Sequence, residues 1–222
     1  MSLPTLYGAA YSVYVRAVRL ALAEKGVEYK LVEVDIFGAV PDWYAKLHPF
    51  KRIPAFEHDG FRLYEAAAIM RYVDEAFPGP ALMPPSGPNG DPRGRARVAQ
   101  IMSLADAYLY RPLVWDIYVE RCDAPGEGRA PDEAKIAAAI PRVATCFAAI
   151  EELMPQESKD AGPFLLGAQF TLADLHLAPM ISIGVRAAEG AALLARHPRL
   201  AGWWAHMRQR PSLAATATRP EV

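Results

Sequence analysis

The sequence predicts a small mixed α/β domain followed by an all-helical domain. Three observations carry this. The first 80 residues alternate short strand-like runs with helical ones, residues 81–91 are dense in proline and glycine, and apolar residues beyond them recur at helical spacing. A chain of 222 residues has room for one large domain or two ordinary ones.

Taken in order, Leu3 to Gly8 is a short apolar run ending in glycine, which reads as a buried strand. Ser12 opens a helix through Lys25, with Val15, Val18 and Leu22 on one face and Gly26 as its stop. Tyr29 to Ile36 alternates, with Val32, Val34 and Ile36 on one side, and predicts a second strand. Pro41 to Leu47 suits a short helix. Ala55 to His58 and Phe61 to Tyr64 flank Asp59-Gly60, the signal for a two-residue hairpin. Glu65 to Phe77 is an alanine-rich helix that ends at Pro78. The order is β-α-β-α-β-β-α, with a right-handed parallel crossover first and an antiparallel hairpin last.

Residues 81–91 read as a linker, and residues 92–222 as helical. Pro92 to Glu120 is one long segment with a kink expected at Pro112. Asp132 to Met154 carries Ile136, Ile140, Val143, Phe147, Ile150 and Met154 at three- and four-residue steps. Pro141 and Pro179 are expected as kinks or fresh starts. Thr171 with Asp174 three residues on forms a capping box, flanked by Phe170 and Leu175 as a staple, so this polar pair reads as structural.

Composition limits the function. Apolar residues make up 52 % and charged residues 22 %, which are globular values. With 24 basic against 25 acidic residues, the chain lacks the basic excess of a nucleic-acid binder. Only two cysteines occur, which excludes a disulfide framework and a four-cysteine metal site. No metal is expected, and a reactive sulfur has to arrive with a ligand. Met1 to Tyr14 lacks the pattern of a signal peptide, and no apolar run approaches the ~20 residues of a membrane span. A cytoplasmic protein without a membrane partner is the expectation.

Three short segments could carry chemistry. Ser12 lies where the first strand meets the first helix, and a helix N-terminus favours an anion such as a thiolate. Serine is equally an ordinary N-cap. Pro54 opens a strand. If the Ile53-Pro54 bond is cis, the Ile53 backbone turns outward to pair with a peptide-like ligand, the alternative being a plain turn proline. Glu65 could hold an ammonium and the Ala66 amide a carboxylate, or Glu65 simply complements the helix dipole. Together the three outline a site for a thiol-bearing tripeptide, and glutathione has that outline.

The chain resembles the cytosolic glutathione transferase family over nearly its whole length. "LYGAAYSVYVRAVRLALAEKG" (Leu6 to Gly26) resembles the first strand and helix of serine-type members, including the plant phi and tau classes and many bacterial ones. "HPFKRIPAFEHDGFRLYEAAAI" (His48 to Ile69) resembles their cis-proline and glutamate-serine region. "FLLGAQFTLADLHLAP" (Phe164 to Pro179) and "HPRLAGWWAHMRQRPSLAAT" (His197 to Thr216) resemble segments of their second domain.

The resemblance implies a thioredoxin-like N-terminal domain that binds glutathione over residues 1–80, an all-α helical-bundle C-terminal domain, and a homodimer. It implies glutathione as co-substrate and a small apolar electrophile as its partner in a detoxification-type conjugation. Glutathione-dependent peroxidase or dehalogenase action is admitted by the same site. Ser12 matches the catalytic serine, with Tyr11 as its rival, Ile53 and Pro54 match the cis-proline pair, and Glu65 matches the γ-glutamyl contact. Tyr7, inside the first strand run, is expected to be buried. Tyr11, Phe37, Tyr108, Trp115 and Tyr118 are candidates for the electrophile site, which in this family lies between the domains. The last three stand at one-face helical spacing, and aromatics at that spacing more often belong to a core.

The departures from the family pattern are specific. Ala66 replaces the usual serine, so a hydroxyl bond to the γ-glutamyl carboxylate is missing. Residues 38–40 lack the cation that phi enzymes place there, and Lys51 or Arg52 are the available substitutes. These departures leave a second reading, a non-catalytic ligand- or protein-binding member with weakened glutathione binding. The longer serine-cysteine motif of the zeta isomerases is absent. Without a cysteine near position 12, mixed-disulfide chemistry is not expected.

Overall fold

The computed structural model describes residues 2–156, 162–219 and 221. The chain forms two compact units, Met1–Leu82 with Pro211–Pro220 and Met83–Arg210 with Glu221–Val222.

In the first unit the elements are β1 (Thr5–Tyr7), α1 (Val13–Glu24), β2 (Lys30–Val32), α2 (Asp42–Ala45), β3 (Ala55–His58), β4 (Phe61–Tyr64) and α3 (Ala66–Ala76). The sheet order is β2-β1-β3-β4, with β1 and β2 parallel and the other neighbours antiparallel. The expected strand over residues 29–36 is cut to Lys30–Val32. It is an edge strand whose sole neighbour, β1, is itself three residues long, so the ladder has no partner beyond Val32. Val34 remains buried without ladder bonds.

Leu6, Val15, Val18, Leu22, Phe56, Ile69 and Val73 fill the core of this unit. Lys25 and Asp74 form a buried pair that the helix pattern does not announce. Lys25 Nζ donates to the Asp74 backbone oxygen at 2.9 Å, to its carboxylate at 3.3 Å and to the Pro80 oxygen at 3.1 Å. The same carboxylate oxygen accepts the Leu82 N–H at 2.8 Å. The pair thereby locks the end of α1 to α3 and to the chain that leaves it. The C-terminal helix α9 (Pro211–Thr216, numbered after the helices below) also belongs to this unit. Arg16 Nη2 donates to Leu213 O at 2.9 Å and Arg19 Nη1 to Thr216 O at 3.1 Å.

The second unit contains α4 (Pro92–Leu104), a wide-turn helix (Ala105–Asp123), α5 (Glu133–Leu153), α6 (Leu172–Gly184), α7 (Ala188–Ala195) and α8 (Pro198–Met207). Pro112 is accommodated where the turn widens to i→i+5 bonding, which relieves the clash of a proline ring with the carbonyl four residues back. Pro141 and Pro179 neither stop nor restart α5 and α6, which run unbroken through them. In α5 one stripe of Ile136, Ala139, Val143, Cys146, Phe147 and Ile150 is buried, and that packing outweighs a local cost of about 3 kcal/mol.

The capping box is present and extended. The fully buried Asp174 accepts Thr171 N–H at 2.8 Å and Thr171 Oγ1–H at 3.0 Å through one oxygen. Through the other it accepts Leu165 N–H at 2.9 Å and Trp203 Nε1–H at 2.8 Å. Burial pushes this carboxyl up, against the pull of its four donors.

Among the described residues, no helix is long and apolar enough to cross a membrane, and no three His, Cys, Asp or Glu side chains gather as a metal site.

Candidate active site

Sheet register brings the three candidate segments together. Tyr7, Ala55 and Tyr64 are successive partners across β1, β3 and β4. The chain after Tyr7, before Ala55 and after Tyr64 therefore leaves the sheet at one end. Those stretches carry Ser12, Ile53-Pro54 and Glu65-Ala66. Gly8 fixes how closely the first two approach. It has φ 153°, and a Cβ there would lie 2.5 Å from Val15 Cγ2 and 3.2 Å from Ile53 Cβ. Any larger residue would push the Ser12 turn off Ile53.

Ser12 is the N-cap of α1, and its half-buried Oγ accepts the Val15 N–H at 3.4 Å. That cap is long, hence weak. It uses only a lone pair. Among the described residues the hydroxyl hydrogen has no partner, so it is available to an anion beside the helix N-terminus. Tyr11 is 51 % exposed and stacks on Phe37 with ring centroids 6.1 Å apart. Burial, then Asp35 and Glu33, push its hydroxyl above the usual phenol range, which makes it a poorer proton donor than an unperturbed tyrosine. Tyr7 is half-buried rather than buried, its ring tilted 5.9 Å from that of Trp43.

The Ile53-Pro54 peptide bond is cis, and Ile53 is buried. Just before it, Lys51 takes φ 53° and is exposed, and exposed Arg52 gives its carbonyl to the Tyr44 hydroxyl at 2.6 Å. Glu65 is exposed, precedes the first turn of α3 and holds φ 73°, ψ 114°. A non-glycine residue there costs on the order of 1–3 kcal/mol, and such conformations gather at ligand sites. Ala66 is buried at the first helical position, where its N–H has no helical acceptor.

One residue of this corner escapes sequence reasoning. His48 is buried, and its Nδ1 has no hydrogen-bond partner. Its ring lies 4.8 Å from that of Tyr64. Burial pulls the imidazole below its ordinary value, Glu65 opposes that and Arg52 adds to it. Nothing in the local pattern around His48 announces this, because the ring it lies nearest, that of Tyr64, comes from β4.

The model of the glutathione S-transferase N-terminal domain matches residues 6–81, and that of the C-terminal domain matches residues 125–216. The chain belongs to the glutathione S-transferase family. It is 27 % identical over 212 residues to glutathione S-transferase F13 of Arabidopsis thaliana, spanning 93 % of this chain and 91 % of that protein. It is 28 % identical over 183 residues to maleylacetoacetate isomerase of Rattus norvegicus, spanning 81 % and 77 %. The crystal structure of glutathione transferase F7 from Populus trichocarpa superposes with a TM-score of 0.80 at 26 % identity, covering 96 % of this chain and 97 % of that one.

In the helical unit of this transferase the three aromatic candidates do not share a face. Tyr108 is 62 % exposed, Tyr118 only 7 %, and the Trp115 indole N–H donates to the Tyr110 hydroxyl at 2.8 Å. Three- and four-residue spacing aligns side chains only at the ordinary helical pitch, and the wide turn of Ala105–Asp123 breaks it. Tyr108 lines a cleft of about 380 Å³ with Leu104, Arg142, Thr145, Cys146 and Ala149. Burial pushes the Cys146 thiol up to about 12, and also raises that of Cys122. Neither sulfur is an activated nucleophile.

Proposed function

We propose that Ser12 is the catalytic residue of this glutathione transferase and that its hydroxyl hydrogen stabilises the thiolate of bound glutathione. The enzyme joins that sulfur to a small apolar electrophile. The thiol proton leaves to solvent, the sulfur attacks carbon, the S–C bond forms and the leaving group departs with its electron pair. Lowering the thiol pKa and holding both reactants are the sources of rate. The observation that carries this reading is the register of β1, β3 and β4, which collects Ser12, Ile53 and Glu65 at one sheet end.

In this reading Glu65 takes the ligand's ammonium and the Ala66 amide its carboxylate. The Ile53 backbone pairs with the ligand's peptide groups beside Pro54, and Lys51 or Arg52 meets the far carboxylate. Tyr11 and Phe37 offer an apolar wall for the electrophile, and Tyr108 is the candidate with surface to offer in the helical unit. Residues 1–80 are the glutathione-binding domain, 81–91 the linker and 92–222 the helical domain. The enzyme is a cytoplasmic homodimer without a resident metal. The non-catalytic alternative rests on Ala66 and the missing cation at 38–40 alone, and family membership does not favour it.

Calorimetry with millimolar glutathione and conjugation of chlorodinitrobenzene test the proposal. Ser12→Ala is expected to lose conjugation and the ultraviolet band of bound thiolate, while Tyr11→Phe keeps both. The reverse pattern moves the catalytic role to Tyr11, and no binding in any variant removes glutathione from the reading.

A further inference from the structure

His48 sits where the elements of the candidate site meet. Its N–H donates to Tyr44 O at 2.9 Å, and its carbonyl accepts the Lys51 N–H at 2.9 Å. The Tyr44 hydroxyl closes the same turn on Arg52 O at 2.6 Å. The His48 ring lies 4.8 Å from Tyr64, with Phe50 at 6.2 Å and Tyr44 at 6.4 Å. Tyr64 is the residue before Glu65. One side chain thus separates the Lys51–Ile53 turn from the Glu65 corner, at 2 % exposure and with an unpartnered Nδ1. A buried ring nitrogen without a partner is costly, and a purely structural aromatic in this slot would be cheaper as phenylalanine.

We propose that His48 is a positioning residue for the glutathione head group, and that on gaining a proton it competes with the ligand's ammonium for Glu65. The proposal rests on the glutathione reading above. The groups that face His48 are Tyr44 from α2, Lys51 and Arg52 from the following turn, Tyr64 from β4 and Glu65 at the start of α3. Among these side chains Glu65 favours a charged ring and Arg52 opposes it, while the residue's own backbone also favours it. Burial keeps the imidazole neutral near pH 7, where the Glu65 carboxylate is left for the ligand. In mild acid the ring gains a cation, and Glu65 is the carboxylate among the groups that act on it. The ligand's ammonium then loses its counter-charge, and glutathione affinity falls while the Ser12 chemistry is untouched. Protonation and glutathione binding are reciprocally linked, so bound glutathione must make His48 harder to protonate. A roughly tenfold loss of affinity on protonation corresponds to a titration midpoint about one pH unit lower in the complex.

Two measurements test this. In the wild-type enzyme, NMR of labelled histidine follows His48 titration with and without glutathione. The expected result is a midpoint lower by about one pH unit or more when glutathione is bound, and an unchanged midpoint overturns the proposal. The second measurement is the KM for glutathione between about pH 5 and 7.5 in wild type, His48→Gln and His48→Phe. Wild type is expected to show KM rising toward about pH 5 at little change in kcat, short of the limit of about tenfold because the complex titrates lower still, and both variants a flat profile. The same acid rise in a folded variant assigns the effect to Glu65 itself and overturns the role of His48. Failure of the wild type to bind glutathione at neutral pH defeats the glutathione reading and this inference with it. Binding at neutral pH with a pH response shared by all three proteins defeats the inference alone.

Discussion

The Val15 N–H donates to the Ser12 hydroxyl oxygen at 3.4 Å, so the residue that caps α1 retains its own hydrogen for a ligand. Capping and the proposed catalysis draw on opposite halves of one hydroxyl, and a substitution can separate them. Ser12→Ala removes both, with about 1 kcal/mol of stability and most of the conjugating rate expected to go. Ser12→Asp keeps an acceptor for Val15 and adds favourable charge at the helix start, but it places an anion against a thiolate. Its melting temperature is expected to stay at or above wild type while kcat/KM falls at least as far as in Ser12→Ala. An active, stable Ser12→Asp enzyme would sink the catalytic assignment.

Removing one partner of the Lys25–Asp74 pair is expected to be among the costliest single changes in the first unit. Both side chains are nearly inaccessible, and the carboxylate also accepts Leu82 N–H at 2.8 Å. Lys25→Met leaves a buried carboxylate unbalanced, for which the usual loss is about 3–5 kcal/mol. Urea unfolding read by circular dichroism measures it. The double variant Lys25→Met, Asp74→Leu should recover part of the loss, because no charge is then stranded.

How much of this was legible in the sequence depends on how local each cause is. The β3–β4 hairpin was readable residue for residue, because Asp59-Gly60 and two alternating runs contain all it needs. The reach of β2 was not, because it is set by the length of β1, a neighbour distant in sequence. Ser12, Ile53 and Glu65 were each visible as weak signals, yet only register shows that they share one sheet end. His48 left no sequence signal, nor did Lys25 as a partner of Asp74. A burial that depends on a chain segment tens of residues away has no periodicity to betray it. The face expected to be shared by Tyr108, Trp115 and Tyr118 is absent for a geometric reason, since their spacing assumes a helical pitch that the chain abandons after Leu104.

Stability in acid should depend on Glu120. This carboxylate accepts from Lys135 Nζ, from Arg129 Nη1 and from the Asp132 N–H at 3.3 Å. Those bonds, Lys135 first and Arg129 second, hold its pKa down to about 2 from an ordinary 4.5. A depressed folded-state pKa means that the unfolded chain binds the proton more readily. The contribution is therefore complete above about pH 4.5 and is lost as pH falls through about 2. Glu120→Gln should lower the melting temperature near neutral pH, and the gap to wild type should narrow steadily between about pH 4.5 and about 2. A gap independent of pH would refute the ion-pair account.

Thr171 and Asp174 look like a polar active-site pair and are expected to behave as structure. Asp174→Ala strands the Leu165 and Thr171 amides and the Trp203 indole N–H, each buried, at about 1–3 kcal/mol apiece. Thr171→Ala removes the hydroxyl's share of the capping box, its 3.0 Å bond to the carboxylate and its acceptor for the Asp174 N–H, while the Thr171 amide still reaches the carboxylate, and should cost about 1 kcal/mol. Neither residue is among those proposed to hold glutathione. Whatever Thr171→Ala enzyme remains folded should keep the wild-type KM for glutathione, and a raised KM at unchanged melting temperature would contradict this.

Ala66 offers a test in the gaining direction. It is buried at the first position of α3, next to the strained Glu65, and its amide is the group assigned to the ligand's carboxylate. Ala66→Ser adds a hydroxyl at the point where that carboxylate would rest. A hydrogen bond to a charged group contributes roughly 1.5–3 kcal/mol, which corresponds to about 10- to 100-fold in affinity. Without ligand the new hydroxyl is a buried polar group with no assigned partner, so the free variant should melt slightly below wild type. Saturating glutathione should restore the difference, because the ligand stabilises the folded state in proportion to its tighter binding. Calorimetric titration and melting curves with and without glutathione give both numbers. If Ala66→Ser leaves the dissociation constant unchanged, the carboxylate does not sit at the start of α3, and the head group must be held elsewhere along the Lys51–Glu65 rim.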